Sequence, residues 1–517
     1  MYSLRRIGTE ADAATLAAAP PGKGSPTMLL HNLLQQFQAE ISLSGIPNVE
    51  LTGVCEDSRQ VRPGNLFIAR PGTKADGARF IADAAARGAV AAVTQTKRPG
   101  TRLPQVVVAQ ASSAASILGN LFFGSPSSRI RVLGVTGTNG KTTTTYLVRH
   151  ILGTVKARCG LIGTVEIDDG RSRHEASMTT PAATEIAELL GAMRDKGCRA
   201  CAMEVSSHAL DQGRVAGVEF AGAAFTNLTG DHLDYHKTME NYAAAKAALF
   251  SSLSETAVAV VNAEDKWSQR MVQDSRGRVI RFGFGKTADY RARDVAITSS
   301  GSNFVLHTPD GRAEVKMQLI GRHNIENALA AAALAGEVFG LSVHQIASGL
   351  RDATGAPGRL QAVRLGQPFA VLVDYAHTDD ALENVLSALR PLTRGKLRVL
   401  FGCGGDRDRT KRPRMARTAE KLADAIYITS DNPRTEDPRS ILDEIVAGLS
   451  AAGRGRATVD IDRRSAIRRI LADAAPGDVV LLAGKGHENY QIIGLEKRHF
   501  DDVEEAILAL KTRLAAA

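Results

Sequence analysis

The sequence is poor in cysteine, with five in 517 residues. That excludes a disulfide scaffold, and the odd count fits a reducing compartment. Cys198 and Cys201 form one C-x-x-C next to an expected strand at 200–205, and no second pair completes a zinc site. No apolar run reaches the roughly 18 residues that a membrane helix needs. The Ala-rich stretch Ala13–Ala19 is broken by Pro20, Pro21 and Gly22 and lacks the sustained apolar core of a secretory signal. A disordered extension over 1–27, folding from Met28 onward and a cytoplasmic location are therefore expected. Aromatic residues make up only 5%, with no stacking platform or recognition motif for nucleic acid. No fixed period marks a solenoid.

What is present describes a globular chain. Hydrophobic residues are 44% and charged residues 23%, which excludes wholesale disorder. The length suits about three domains. The net charge of +9 favours anionic partners without choosing among nucleic acid, membrane surface and small phosphorylated substrates. Strand and helix signals alternate in three blocks, 28–112, 113–356 and 357–517, separated near the Ser/Gly/Pro stretch Gly124–Ser128 and the turn-rich Thr354–Gly358. Alternation of this kind predicts parallel α/β sheets.

The second block opens with an apolar strand, 131–135, running into Gly134-Val135-Thr136-Gly137-Thr138-Asn139-Gly140-Lys141-Thr142-Thr143. Glycines let backbone N–H groups approach phosphate oxygens, and a helix N-terminus adds positive potential. Lys141 is placed for the β/γ-phosphates of ATP and the Thr142 hydroxyl for Mg²⁺. The spacing departs from the common pattern, which has Gly at position 135. Glu204 ends another expected strand, where a carboxylate suits Mg²⁺. Lys246, one cation among the alanines of 241–250, reads by itself as a solvated surface lysine.

The loop in the form Thr-Gly-Thr-Asn-Gly-Lys-Thr (136–142) resembles that of the Mur ligase family, which builds the peptide stem of bacterial cell-wall precursors and has folylpolyglutamate and cyanophycin synthetase relatives. The matching motifs span about Cys55 to Glu488. The resemblance, with the alternation, implies an α/β fold of three domains: a central P-loop parallel sheet, a small N-terminal α/β domain and a C-terminal Rossmann-like α/β domain. It implies that Glu204 and His232, the latter in Asp231–His236, hold Mg²⁺. It also implies that Lys246 is carbamylated and offers an oxygen to a second Mg²⁺. Asn324 lies in a segment that the family places near adenine, and Arg359 and Asp374 belong to parts that close over ATP.

The same resemblance assigns the outer blocks. Glu56, Ser58, Thr73, Lys74 and Ala75 would meet the UDP-sugar, a domain that folylpolyglutamate synthases lack. Thr179, Thr180, Ser206, Gln212 and Arg214 would meet the muramyl peptide. Asp431-Asn432-Pro433-Arg434 matches the signature for adding meso-diaminopimelate, with Arg407, Gly484 and Glu488 at companion positions. A planar guanidinium can bind the substrate's distal carboxylate through two hydrogen bonds. The implied reaction joins meso-2,6-diaminopimelate to the D-Glu γ-carboxylate of UDP-N-acetylmuramoyl-L-Ala-D-Glu through an acyl phosphate. ATP and Mg²⁺ are required, and the enzyme is expected as a monomer acting on small molecules.

L-Lysine addition is the alternative, and a D-Ala-D-Ala-adding sibling would have no use for Arg434. A nucleic-acid-dependent ATPase rests only on the basic run Arg407–Arg417. A catalytically dead scaffold conflicts with the intact Lys141, Glu204 and Lys246.

Overall fold

The computed structural model describes residues 26–38, 41–72, 75–298 and 300–515. Residues 1–25 of the expected extension, and Thr73 and Lys74, lie outside these. The chain divides into two compact units, Met1–Phe123 and Gly124–Ala517.

The first unit holds a four-stranded, all-parallel sheet in the order Gly53–Cys55, Asn65–Ala69, Ala91–Thr94, Gln105–Val107. Asn65–Ala69 is buried along its whole length, as a central parallel strand should be. Phe67, Ile81, Ala84 and Ala92 fill one core. The helix Ala111–Phe122 packs on Leu30–Phe37 and on this sheet. The unit therefore runs past the expected boundary at 112, because that helix buries its apolar face here.

In the second unit an eleven-stranded sheet carries the phosphate loop. Its middle is parallel: Cys159–Ile162, Ala200–Glu204, Arg131–Thr136, Phe220–Phe225, Val258–Asn262, Arg278–Gly283 and the start of Tyr290–Thr298. Both edges are antiparallel, with Glu166–Asp168 and Arg173–Glu175 on one side and Gly301–Thr308 and Gly311–Met317 on the other. Apolar cores cover both faces. One involves the helices Lys141–Thr154 and Arg322–Phe339, the other Ala183–Asp195 and Met239–Ser251. The near-continuous Ala328–Ala335 run is fully buried, and small side chains let that helix approach the strands closely.

A second sheet runs Gln361–Ala362, Ala370–Asp374, Val479–Ala483, Leu397–Phe401, Ala425–Ile428, Ala457–Val459. All neighbours after the first pair are parallel, with a core on each face. The carboxyl ends of its strands therefore lead into loops on one edge, the usual place for ligands in open parallel sheets. Among the described residues, no helix is long and apolar enough to cross a membrane.

Candidate active site

The phosphate loop is tightly cradled. A Cβ on Gly137 would lie 1.9 Å from Thr226 Oγ1, and one on Gly140 2.2 Å from Asn327 Oδ1. Gly140 has φ +85°, which only glycine adopts cheaply. Val135 is an interior strand residue with its side chain in the core, so no glycine is required there. Asn227 anchors the loop, accepting from Thr138 N at 2.8 Å through its carbonyl and from Asn139 N at 3.0 Å through its side chain. Lys141 Nζ donates to the loop carbonyls of Gly137 (2.9 Å) and Thr138 (2.8 Å). Burial holds its pKa below the usual lysine value.

Glu204 is completely buried. It accepts from Thr142 Oγ1 at 3.1 Å, Thr164 N at 2.8 Å and Thr164 Oγ1 at 3.0 Å. Two oxygen donors, the Thr142 hydroxyl and the Glu204 carboxylate, thus meet at the loop, a set whose chemistry fits a hard divalent cation. His232 is half exposed beside Asp231, with its ring 4.9 Å from that of His208. Among the described residues no three His, Cys, Asp or Glu side chains group closely enough to hold a metal, so Glu204 and His232 do not form a closed protein-only metal site.

Lys246 is buried, at 1% exposure, not solvated as the residue alone would suggest. The helix Met239–Ser251, capped by Thr238, points it at the phosphate loop. Its Nζ donates to Gly137 O at 2.9 Å and lies 4.6 Å from the centre of the Tyr242 ring. Burial first, and then the Lys141 cation, push its pKa well below the usual lysine value.

A cavity of about 1020 Å³ opens over the phosphate loop. Thr138, Asn139, Gly140, Lys141, Thr142, Thr143, Glu204, His232, Asn324, Arg359 and Asp374 all line it. Asn324 donates to Ile320 O at 2.8 Å. The Arg359 guanidinium lies over the Tyr375 ring at 4.7 Å. Asp374 accepts from Leu360 N at 2.7 Å and Ala376 N at 2.8 Å, so it caps a strand end, and burial raises its pKa.

The peptide-side candidates also meet. Thr180 Oγ1 donates to Glu204 O at 2.9 Å and accepts from Ser206 N at 3.0 Å. Arg214 donates to Thr180 O at 2.7 Å and to Gln212 Oε1 at 2.6 Å. Thr179 hydrogen-bonds Thr164, hydroxyl to hydroxyl, at 3.0 Å. In the first unit, Glu56 pairs with Arg70, Ser58 is buried, and Ala75 O accepts from Gly72 N at 3.0 Å.

At the edge of the second sheet, Asp431, Asn432, Pro433 and Arg434 follow Ala425–Ile428, while Gly484 and Glu488 follow Val479–Ala483. Asn432 Nδ2 donates to Glu488 Oε2 at 2.9 Å. A Cβ on Gly484 would sit 3.2 Å from Asp431 Oδ2, and one on Gly405 1.9 Å from Pro433 O. Arg434 has φ +52°. Its backbone N–H donates to Ile492 O at 3.0 Å and its Nη1 to Gly405 O at 2.8 Å. Arg407 is exposed and donates to Asp406 O at 3.1 Å. Burial, then Asp431, raise the Glu488 pKa, against the pull of Lys485.

Sequence reading missed three participants. Lys485 is fully buried and lies 3.3 Å from Glu488 and 3.8 Å from Asp431. Its setting between two glycines was the available signal. Thr164 and Asn227 carried none. The C-x-x-C is not a site: both thiols are free and buried, and burial raises their pKa.

Family models match three parts of the chain: "Mur ligase family, catalytic domain" over 50–118, "Mur ligase middle domain" over 135–335 and "Mur ligase, glutamate ligase domain" over 358–486. The chain belongs to the Mur ligase family. Two relatives named UDP-N-acetylmuramoyl-L-alanyl-D-glutamate–2,6-diaminopimelate ligase illustrate the likeness within the Mur ligases. The one from Thermosynechococcus vestitus is 48% identical, over 90% of this chain and 94% of its own length. The one from Bacillus cereus is 43% identical, over 90% and 95%. A solved structure bearing the same name has 34% identity and a TM-score of 0.69, and covers 93% of this chain and 99% of that one. The MurF ligase of Thermotoga maritima, solved in complex with ADP, shares the fold at 18% identity and a TM-score of 0.57, over 90% and 98%.

Proposed function

We propose that this Mur ligase uses ATP to join meso-2,6-diaminopimelate to the D-Glu γ-carboxylate of UDP-N-acetylmuramoyl-L-Ala-D-Glu, releasing ADP and phosphate. The observation that carries the choice of amino acid is the cluster of Asp431, Asn432, Arg434, Lys485 and Glu488 at one sheet edge. It sets a cation able to take a carboxylate beside carboxylates able to take an ammonium.

In this reading the phosphate loop, Gly137 to Thr143, holds the ATP phosphates, and Asn324, Arg359 and Asp374 line the nucleoside side. Thr142, Glu204, His232 and a carbamylated Lys246 would hold Mg²⁺, which when bound neutralises charge on the transferring phosphoryl group. The γ-carboxylate attacks the γ-phosphate of ATP, giving an acyl phosphate and ADP. Lys141 offsets the developing charge. The amine of diaminopimelate then attacks the acyl carbon, an amide forms, and phosphate and a proton leave. No protein nucleophile is needed; the residues position and neutralise.

The domain roles follow: UDP-sugar binding in the first unit, which ends at Phe123, ATP binding from Gly124 to 356 and amino-acid binding in 357–517. Glu56, Ser58, Thr73, Lys74 and Ala75 would serve the first ligand, with Thr179, Thr180, Ser206, Gln212 and Arg214 serving the peptide. All the proposed contacts come from one chain, so a monomer suffices. Five free cysteines suit the cytoplasm.

L-Lysine is the second reading. It lacks the distal carboxylate, so Arg434 would face no anion, a costly mismatch in a site built for one. The nucleic-acid reading is weakened, because three of the cations in its basic run are paired, Arg412 with Glu436 and Glu444, Arg409 with Glu444 and Arg414 with Asp379. The deciding assay is phosphate release from ATP and UDP-N-acetylmuramoyl-L-Ala-D-Glu with each amino acid in turn. Equal or faster turnover with lysine refutes the choice.

A further inference from the structure

The two segments proposed to hold the amino acid begin at Asp431 and Gly484. They leave strands that are not neighbours, since Leu397–Phe401 runs between Ala425–Ile428 and Val479–Ala483. Strands separated by one other lie roughly 10 Å apart. Two loops on such strands need a tie if they are to hold one small molecule between them.

Asn432 meets Glu488 and Lys485 lies near Asp431 directly across the gap, and one side chain from a third element reaches both strand ends. Arg463 opens the helix Arg463–Ala472 and is buried. Its Nη1 donates to Ser430 O at 3.4 Å and its Nη2 to Ala483 O at 3.0 Å. These are the carbonyls immediately before Asp431 and Gly484. On its other side, Nε and Nη2 donate to Asp502 Oδ1 at 2.8 Å and Oδ2 at 2.6 Å. Asp502, the first residue of the terminal helix Asp502–Ala515, is also fully buried.

A buried ion pair is weak evidence for stability, because desolvation opposes the Coulomb gain; its better-attested use is to specify geometry. A guanidinium keeps its charge and directs its donors in a rigid fork. Asp502 fixes that fork, and the fork fixes the two strand ends. The charge also lies within electrostatic range of Asp431 and Glu488.

We infer that Arg463, locked by Asp502, is a positioning residue that sets the spacing of the strand ends from which the Asp431–Arg434 and Gly484–Glu488 segments leave, and so the affinity for the incoming amino acid. The inference rests on the proposed reading of those segments. Arg463 acts through backbone carbonyls and touches no substrate.

The test is steady-state kinetics with ATP, UDP-peptide and amino acid varied in turn. The double variant Arg463→Met/Asp502→Leu replaces the pair with apolar side chains of similar volume, a change that buried pairs often tolerate. Arg463→Lys keeps the charge and loses the fork. In the double variant, the KM for the amino acid should rise on the order of 10- to 100-fold while the KM values for ATP and UDP-peptide stay within about twofold. Arg463→Lys should shift the same constant by a smaller factor. An unchanged amino-acid KM, or an equal rise in all three constants, overturns the inference. If the double variant does not fold, Arg463→Lys decides by the same criterion. The unaltered enzyme's preferred amino acid tests the reading of the site, and the variant-to-unaltered KM ratio with that amino acid tests Arg463, so either can fail alone.

Discussion

Lys246 and Gly137 meet beneath the phosphate loop, the lysine Nζ donating to the glycine carbonyl at 2.9 Å across 109 residues of sequence. Lys141 donates to the same carbonyl. Two lysines thus share one acceptor, and burial and mutual repulsion favour the neutral amine on Lys246. A neutral amine can add CO₂, releasing a proton and leaving a carbamate. That places an anionic oxygen ligand beside the Lys141 cation.

Replacing Lys246 with alanine should therefore lower kcat by about 100-fold or more. In ¹³C-bicarbonate, the unaltered protein should show a carbamate carbon resonance that Lys246→Ala lacks. A fully active alanine variant would remove Lys246 from the mechanism.

Glu204 offers the complementary case. It gathers Thr142 and Thr164 through three hydrogen bonds. Glu204→Gln keeps the volume and removes the charge. The Mg²⁺ concentration for half-maximal activity should rise on the order of 10- to 100-fold, while the KM for the amino acid changes little. Titrating activity with Mg²⁺ at saturating ATP reads this directly.

These two residues differ in how legible they were. Glu204 ends an apolar strand next to the phosphate-loop strand, and a lone carboxylate closing a continuous apolar run announces its position. Lys246 sits among alanines on a helix, where a single cation ordinarily faces water. It is buried with its Nζ on Thr136 and Gly137, partners that no local pattern reveals. Arg412 misled in the same way: within a basic run it resembles an anion-binding surface, yet it is buried and paired with Glu436 and Glu444. The parallel cores were readable because two-faced burial gives continuous apolar strands. The antiparallel edge Arg173–Glu175 was not, because it is short, charged and exposed.

Arg412 also predicts an acid-sensitive fold. Its hydrogen bonds hold the Glu436 pKa down at about 2, from an ordinary 4.5. A folded-state pKa below the unfolded value gives stability that is present above about 4.5 and lost as pH falls towards 2. Glu436→Gln should lower Tm at pH 7, and the gap to the unaltered protein should narrow on acidification through 4.5 towards 3. Thermal melts across that series measure it, and a gap of constant width would argue against the ionic contribution.

Arg434 is the sharpest test of substrate choice. Its left-handed backbone is pinned on both sides, its N–H donating to Ile492 O and its carbonyl accepting from Gly494 N at 2.7 Å. Its side chain runs along Gly404 and Gly405, where a Cβ on Gly404 would come within 2.9 Å of Nη1. The guanidinium is thus aimed by backbone, which suits recognition of a planar carboxylate. Arg434→Ala should raise the KM for meso-diaminopimelate about 100-fold and leave that for ATP within about twofold. Arg434→Lys should recover little, because an ammonium cannot supply two parallel donors. The ratio of diaminopimelate to lysine turnover should fall in both variants, since only the distal carboxylate distinguishes the two substrates at this position. Competition between the two amino acids in one reaction, read by the mass of the product, measures that ratio, and its persistence in Arg434→Ala would place the discrimination elsewhere.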